Sequence, residues 1–320
     1  MASIESVTGP LDPADLGTVL IHEHLRFRDN ATADEFPHLY DEDALYAAGL
    51  EAANGAKGVG VKTIVEPTAM FGGRDVRFME RIARETGVQV VPCTGIYTYD
   101  YLPINWVTRS EDEMADAFVH DIEQGIQGTD IKAAFLKCAA DEPGVTENVE
   151  KVHRACARAS LRTGKPIMAH SHPGSRTGPE QMKIFSEEGV APEQVQIAHT
   201  GDTDNLGYID EVLDTGAYIG LDRYGIEMYL PTDKRNATVL ALLERGHVER
   251  MHLSMDSCAS IDWFNDATEE ALMEQGAVRE WHTRLLHEEI LPTLKEGGMT
   301  EDQERTMLVD NTRAWLTPAS

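Results

Sequence analysis

The 320-residue chain has 28 basic and 55 acidic side chains, which give a formal net charge of −27. A surface this acidic repels phosphate backbones and anionic lipid, so we expect neither nucleic acid nor a membrane as a partner. The hydrophobic share of 42% and the charged share of 26% are typical of a globular protein. The four cysteines show no C-x-x-C spacing, which argues against a thiolate zinc site and a disulfide framework.

No targeting or membrane segment is evident in the sequence. Residues 1–17 lack a basic region followed by an apolar stretch, so we expect no signal peptide. No apolar run approaches the roughly 20 residues that span a bilayer. We therefore expect a cytoplasmic protein. Because no linker or change in composition divides the chain, we also expect one domain over residues 1–320.

Eight short apolar runs recur along the chain and are typical of parallel strands that are buried on both faces. Helical stretches separate them. The segment 110–126 begins with Ser110 and Glu113 in capping-box spacing, and the segments 73–87 and 148–164 end on glycine, a common helix stop. Two further helices are predicted at 278–298 and 302–316. The predicted strands are 18–24, 62–68, 88–95, 132–139, 165–172, 195–201, 217–223 and 251–256.

Eight strands that alternate with helices predict an α/β fold, a single (β/α)8 TIM barrel. The alternative is a doubly wound open sheet. That fold usually has fewer strands, and no glycine-rich phosphate loop follows the first strand of this chain. The barrel is the better interpretation, and it places functional groups at the carboxyl ends of the strands.

Six polar side chains fall at those strand ends. Successive side chains of an extended chain point to opposite faces, so His22 and His24, two residues apart, face the same way. Two imidazoles that converge in this manner are typical of ligands to a divalent metal. Each residue also has a structural alternative: His170 could be a core histidine, and Asp256 could be a helix N-cap. Lys137 is harder to explain structurally, because its apolar surroundings would make a buried ammonium costly. The sequence predicts that six functional side chains meet at the barrel mouth: His22, His24, Lys137, His170, His199 and Asp256.

Long collinear segments resemble the phosphotriesterase-like lactonases of the amidohydrolase superfamily. They include "GPLDPADLGTVLIHEHL", "IYTYDYLP", "AAFLKCA", "HTGDTDN", "GLDRYG", "SCASIDW" and "TMLVDNTRAWL", and together they extend over nearly the whole chain. The resemblance implies two divalent transition-metal ions, such as zinc, iron or cobalt. His22, His24 and Asp256 would hold one ion, and His170 and His199 the other. A carbamylated Lys137 would bridge them, with a bridging hydroxide as the nucleophile.

The same resemblance assigns substrate contacts. Tyr97 and Arg223 would position a lactone ring beside the metals, and Asp256 would also transfer a proton to the leaving ring oxygen. Ile226, Cys258 and Trp263 would bind the rest of the substrate. Three of these residues could instead have a purely structural role. Arg223 could form a salt bridge, Tyr97 could be an aromatic residue at the rim, and Trp263 could anchor its loop or lie at a subunit contact.

Two further residues, Met255 and His172, lie close in sequence to the predicted ligands. Many relatives have histidine where this chain has Met255, directly before Asp256. Strand alternation turns Met255 away from the ligand face, so the metal site is expected to survive the change. His172 shares a face with His170 only if the strand continues, and Pro173 and Gly174 indicate a turn instead.

The expected function is opening of lactone rings by a binuclear metallohydrolase. The substrates would be N-acyl-homoserine lactones and related γ- and δ-lactones, as in quorum quenching, with phosphotriesterase activity as a side reaction. The alternatives are a dedicated organophosphate or phosphodiester hydrolase, and a barrel that binds metal or ligand without turnover. On resemblance alone, we expect a homodimer.

Overall fold

Eight parallel strands form one sheet in which spatial neighbours follow chain order. The computed structural model describes residues 3–279 and 281–318. The sequential order confirms the predicted (β/α)8 barrel and excludes the doubly wound alternative, whose strand order reverses. The strands are β1 (Val19–Leu20), β2 (Thr63–Glu66), β3 (Gln89–Gly95), β4 (Phe135–Ala139), β5 (Ile167–His170), β6 (Val195–Ala198), β7 (Tyr218–Leu221) and β8 (Met251–Leu253).

The seam between β1 and β8 lies at the barrel mouth. There the short strand Glu23–His24 pairs in parallel with Ser257–Cys258. The backbone N–H of Asp256 donates to the carbonyl of His22 over 2.9 Å. Closure of the barrel therefore brings the first and last predicted ligands side by side, although more than 200 residues separate them along the chain.

The predicted strand 18–24 is interrupted in the structure at residues 21–22. At the seam, a side chain adds to the backbone pairing: the Glu23 carboxylate accepts from Ser254 Oγ at 2.7 Å and from the N–H groups of Met255 and Ser257 at 3.0 and 2.7 Å. Burial raises the pKa of Glu23 to about 8, against the opposing effect of the hydroxyls of Ser257 and Ser254. A one-strand prediction was wrong here because its partners come from the other end of the chain.

Helices cover the outside of the barrel between successive strands. The capping box of Ser110 and Glu113 is confirmed, as are the left-handed stops at Gly87 (φ 76°) and Gly164 (φ 70°). None of the described helices is long and apolar enough to cross a membrane. The α-helices up to residue 274 are Asn30–Glu35, Glu42–Gly58, Val76–Thr86, Ile104–Val107, Glu111–Glu123, Glu147–Thr163, Thr177–Glu188, Leu206–Leu213, Thr232–Glu244 and Asp266–Glu274.

The two predicted C-terminal helices are shorter or less regular than expected. The first region contains a π-helical turn, Leu286–Ile290, followed by the α-helix Leu291–Glu296. Pro292 has no N–H to continue the ladder, so it disturbs the regular hydrogen-bond pattern there. Glu280, within the predicted span, lies outside the described residues. The second region is helical throughout, as Glu301–Arg305, a π turn at Thr306–Asp310 and Asn311–Leu316.

Two apolar layers hold the barrel together. Side chains from the helices pack on the outer face of the strands. Inside the barrel, Val65, Val91, Phe135 and Met168 from β2 to β5 form a filled core. The fully buried Trp315 packs against Phe135 with ring centroids 5.4 Å apart. The barrel is therefore plugged below its mouth, which leaves the carboxyl ends of the strands as the place for a site.

Candidate metal centre and substrate pocket

All six predicted ligands meet at the barrel mouth, and all are buried. Ligand atoms of His22, His199 and Asp256 lie within 4.8 Å of one another, an arrangement that could hold a metal ion. His24 Nε2 is 3.1 Å from Asp256 Oδ1. On the other side, the ring of His170 has its centroid 4.5 Å from that of His199, and Lys137 Nζ is 3.2 Å from His22 Nε2.

Two of these residues have left-handed backbone conformations. His199 has φ 62° directly after β6, and Asp256 has φ 54° beyond β8. This region costs a non-glycine residue roughly 1–3 kcal/mol and is concentrated at functional sites. β6 ends directly before His199, whereas Asp256 lies between the end of β8 and the short strand Ser257–Cys258; both side chains come to lie in the cluster at the mouth.

Asp222, at the end of β7, orients two of the imidazoles. Its Oδ2 is 2.9 Å from His22 Nδ1, and its Oδ1 is 3.0 Å from His199 Nδ1. Burial would raise the pKa of Asp222, but the two histidines hold it well below its usual range, so the group is a carboxylate. A carboxylate can only accept, so both histidines donate through Nδ1. Their Nε2 atoms are left with free lone pairs.

The other two imidazoles are oriented in the same manner. Thr68 Oγ1 donates to the buried Glu66 over 2.7 Å, and lies 2.6 Å from His24 Nδ1. Since that hydroxyl hydrogen is already used, His24 Nδ1 donates to it and His24 Nε2 carries the free lone pair. His170 donates through Nε2 to Asp141, so its Nδ1 is an acceptor, and this atom lies 3.1 Å from the Tyr97 hydroxyl.

These orientations suit a metal centre. Free lone pairs of His22 and His24 point at the same oxygen, Asp256 Oδ1, at 3.3 and 3.1 Å, and His199 Nε2 lies 3.9 Å from Oδ2. Acceptors that crowd without a shared proton repel one another, and a divalent cation between them would remove that repulsion. Partner groups that fix imidazole tautomers are the usual second layer of protein metal sites. The donor set therefore fits divalent metal.

Lys137 lies at the base of this cluster with no solvent exposure. Burial lowers the pKa of its ammonium to about 8. Among the described residues, no carboxylate oxygen lies within the 4.0 Å of an ion pair with Nζ. An unpaired ammonium in this position is costly, as the sequence analysis anticipated.

Arg223 carries the positive charge at the opposite side of the mouth. Its Nε donates to Asp256 Oδ2 and its Nη1 to Asp202 Oδ2, both over 2.9 Å. The guanidinium also lies 4.8 Å from the centre of the Tyr229 ring. The salt bridge that was expected for a purely structural role of Arg223 is thus present. Because one of its partners is a predicted metal ligand, the ion pair and a role at the site are compatible.

A pocket of about 610 Å³ opens directly above the cluster. Its polar end is formed by His24, Tyr97, Arg223 and Asp256. Tyr97 is partly buried, and burial raises the pKa of its phenol well above the usual range, so it is a neutral hydrogen-bonding group. The predicted contacts Ile226, Cys258 and Trp263 all line the pocket, and the half-exposed Trp263 packs edge-on against Phe27 at 5.0 Å.

Comparison with known proteins agrees with this geometry. The chain matches the Phosphotriesterase family over residues 2–316. It is 45% identical over 307 residues to an aryldialkylphosphatase of Saccharolobus solfataricus, covering 96% of this chain and 97% of that protein. A phosphotriesterase homology protein of Mycobacterium tuberculosis is 40% identical, covering 98% and 97% of the two chains. The solved structure of the phosphotriesterase from Mycobacterium tuberculosis matches with a TM-score of 0.93 at 40% identity, covering 98% of each chain.

The chain belongs to the phosphotriesterase family. Enzymes of the phosphotriesterase family are hydrolases that use divalent metals, so the coarse function expected from the sequence is confirmed. The barrel architecture is shared with the matched structure. The names of these relatives do not specify lactones.

Two ambiguous positions of this phosphotriesterase-family chain are resolved by their contacts. His172 caps a short 3-10 turn, and its Nδ1 accepts from the Ser175 N–H over 3.1 Å, so it takes no place in the cluster. Met255 is turned away from the ligands, as expected. Its sulfur accepts from the Leu286 N–H at 3.2 Å, and its carbonyl accepts from Trp281 Nε1 at 2.8 Å.

The carboxylates that orient the predicted ligands and support Arg223 were not predicted from the sequence. Asp222, Glu66 and Asp141 each orient a histidine directly or through one hydroxyl, and Asp202 supports Arg223. A signal was present. Asp222 and Glu66 end apolar runs in the same way as the predicted ligands, so an acidic residue at a strand end could have been added to the site by the same rule.

Proposed function

We propose that this protein is a metal-dependent lactonase that opens N-acyl-homoserine lactones and related γ- and δ-lactones. The observation that carries the proposal is the division of the pocket into two ends. Tyr97, Arg223 and Asp256 form a small polar end beside the donor cluster, and apolar side chains such as Ile226 and Trp263 form the remainder. A polar ring with an apolar acyl chain matches this division, since ligand sites combine apolar walls with few placed polar groups. A role in quorum quenching in the cytoplasm is part of this proposal.

The proposal includes two divalent ions and carboxylation of Lys137. His22, His24 and Asp256 would hold one ion, His170 and His199 the other, and the Lys137 carbamate would contribute to both. The buried position of Lys137 supports carboxylation, because carboxylation would replace an unpaired buried ammonium by an anion that lies among cations. Divalent ions held there would supply Lewis-acid polarisation of a carbonyl and lower the pKa of bound water.

Three side chains of this chain would handle the substrate. Arg223 Nε holds the Asp256 carboxylate in place, and that carboxylate would take up the proton released by the attacking water and pass it to the leaving ring oxygen. The neutral phenol of Tyr97 would hydrogen-bond to the ring ester. Trp263 and Phe27 would keep bulk water from the acyl side of the pocket.

Phosphotriester hydrolysis is the second candidate. It is favoured by the name of the relative that is 45% identical, an aryldialkylphosphatase. A phosphotriester is also neutral with apolar substituents, so the same pocket can admit it. We propose it as the side activity, because Tyr97 and Arg223 beside the cluster offer hydrogen bonds suited to a planar ester. A barrel without turnover has little support, since all six ligand positions are filled and clustered.

Substitutions beside the donor cluster test the proposed reaction. We expect Tyr97→Phe and Arg223→Ala each to lower lactone kcat/KM far more than paraoxon kcat/KM, by about 2–4 kcal/mol if each removes a transition-state hydrogen bond. Tyr101→Phe, at an exposed tyrosine on the rim, is the control and should change neither. Metal content is measured on every variant. Equal losses on both substrates would show a structural or metal-supporting role and contradict the assignment.

A further inference from the structure

Arg235 is a buried arginine outside the donor cluster that has no part in the proposed chemistry. It lies in the first turn of the helix Thr232–Glu244 with only 3% of its surface exposed. A guanidinium is costly to bury unless its donors are satisfied. All three nitrogens of Arg235 donate, and each donates to a residue outside the helix.

The bonds of Arg235 join two loops at the barrel mouth. Its Nε donates to the carbonyl of Leu230 at 2.9 Å and its Nη2 to that of Ile226 at 3.4 Å, so both ends of the segment 226–230 converge on one side chain. Its Nη1 donates to the carbonyl of Gly201 at 2.9 Å, in the loop after β6. A planar, five-donor fork is the only side chain that can serve these acceptors together.

The same guanidinium reaches the reaction centre through Asp202. Arg235 Nη2 donates to Asp202 Oδ1 at 2.8 Å, while Arg223 Nη1 donates to Asp202 Oδ2 at 2.9 Å. Each oxygen of the carboxylate is thus held by a different arginine, and Arg223 in turn holds Asp256. Without Arg235, the Asp202 carboxylate could rotate, and Arg223 would lose one of its two fixed carboxylate partners.

The segment 226–230 is also a wall of the substrate pocket. Ile226, Met228 and Tyr229 line the pocket, and the Tyr229 ring lies over the Arg223 guanidinium. Other bonds assist the segment, including Met228 N–H to the carbonyl of Ala277 at 2.9 Å. Among the described contacts of this segment, those of Arg235 are the ones that tie it to the carboxylate supporting Arg223.

We propose that Arg235 is a positioning residue that sets the acyl-chain wall and the placement of Arg223 together, and so determines how the enzyme discriminates lactones by acyl length. The inference rests on the proposed lactonase function. It assigns Arg235 no contact with substrate. Its effect passes through Asp202 to Arg223, and through residues 226–230 to the apolar pocket.

The test compares Arg235→Lys and Arg235→Met with Arg245→Met, a control at an exposed arginine at the end of the same helix, paired with Asp210. Steady-state kcat and KM are measured for homoserine lactones with four- and ten-carbon acyl chains, beside circular dichroism and metal content. We expect Arg235→Lys to lower the ten- to four-carbon ratio of kcat/KM by about tenfold, mainly through KM for the long chain. Arg245→Met should leave the ratio unchanged.

A double-mutant cycle separates positioning from general stability. If Arg235 acts through Asp202, then Asp202→Asn combined with Arg235→Lys should lose less kcat on the four-carbon lactone than the product of the single losses. A folded Arg235→Lys variant with the wild-type chain-length ratio overturns the inference, as does a parallel loss on both lactones matching the unfolded fraction. Should Arg235→Met fail to fold, the lysine variant decides, since it keeps the buried charge. A wild-type enzyme that opens neither lactone would refute the proposed function instead.

Discussion

At the scale of single residues, the candidate metal centre depends on side chains that are not ligands themselves. They bond the opposite ring nitrogen of each histidine and so leave the ligand nitrogen unprotonated. Asp222 fixes the tautomers of His22 and His199, and Thr68 with Glu66 fixes that of His24. The ligands themselves could be predicted from the sequence because they end apolar strands. Their orienting partners were not predicted, since the side chain of Asp222 meets residues 200 and 23 positions away.

Replacing Asp222 by asparagine should weaken metal binding without removing a ligand. An amide donates as well as accepts, so one histidine would be driven to carry its proton on Nε2, where the metal must bind. We expect Asp222→Asn to lower metal affinity about 10–100-fold, in the range for such orienting partners. Elemental analysis across a series of chelator concentrations measures the effect. Asp210→Asn, at a partly exposed carboxylate paired with Arg245, is the control, and identical retention curves for the two variants would refute the role.

His252 on β8 predicts an acid-sensitive contribution to stability. It is fully buried, stacked on Tyr218 with ring centroids 4.9 Å apart, and burial lowers its pKa from 6.5 to about 3. Because the folded pKa is depressed, its neutral form is favoured in the fold. The associated stability is complete above pH 6.5 and is lost as the pH falls toward 3.

A stacking replacement tests that pH dependence. We expect His252→Phe to flatten the pH dependence of the free energy of unfolding between pH 6.5 and 5, where the histidine should cost the wild type about 2 kcal/mol. Urea unfolding at the two pH values measures the difference for each protein. His120→Phe, at an exposed histidine, should retain the wild-type slope. A His252→Phe variant with an unchanged slope would contradict the assigned pKa.

At the scale of elements, the alternation of strands and helices followed from hydrophobic patterning, but the strand ends did not. The strand predicted at 195–201 stops at Ala198, because His199 leaves the extended conformation to face the mouth. The strand predicted at 132–139 begins only at Phe135. Apolar composition marks burial, and residues just outside a strand in a barrel are buried as well. Backbone pairing, which defines the strand, depends on a neighbour elsewhere in the chain.

Three neighbouring helices are linked by a set of ion pairs on the barrel surface. Arg154 and Arg158, on the helix Glu147–Thr163, both donate to Glu188 at the end of Thr177–Glu188, over 2.9 and 3.2 Å. Arg158 also donates to Asp112 on Glu111–Glu123 at 2.9 Å. Burial would raise the pKa of Glu188, but the two guanidiniums outweigh it and lower the pKa.

Glu188→Gln should remove the shared anion of this set while preserving its shape. We expect the free energy of unfolding to fall by about 1 kcal/mol in low salt, and by less in 0.5 M NaCl, because partly exposed ion pairs are screened. Lactone kcat/KM should not change. The matched control is Glu180→Gln, an exposed acid on the same helix. A loss that is equal at both salt concentrations would argue that packing, and not charge, is responsible.

At the scale of the whole molecule, one barrel places residues from both ends of the chain around a single mouth. Length, strand count and resemblance were enough to predict this arrangement, because a closed ring of eight strands leaves few alternatives. The closing seam through Glu23 could not be predicted, since its side chain adds hydrogen bonds to a short backbone pairing between residues from opposite ends of the chain. The homodimer stays a prediction, for which light scattering should give twice the 35.4 kDa chain mass.

We propose lactone ring opening as the reaction for which the mouth of this barrel is built. The most direct measurement is kcat/KM of the wild-type protein, with its metal content quantified, for N-acyl-homoserine lactones and for paraoxon. A planar ester that becomes tetrahedral should make better use of Tyr97 and Arg223 than a phosphotriester, which is tetrahedral from the start. For a lactonase, we expect a higher kcat/KM for the best lactone than for paraoxon. A preference for paraoxon would contradict it and assign the site to organophosphate hydrolysis.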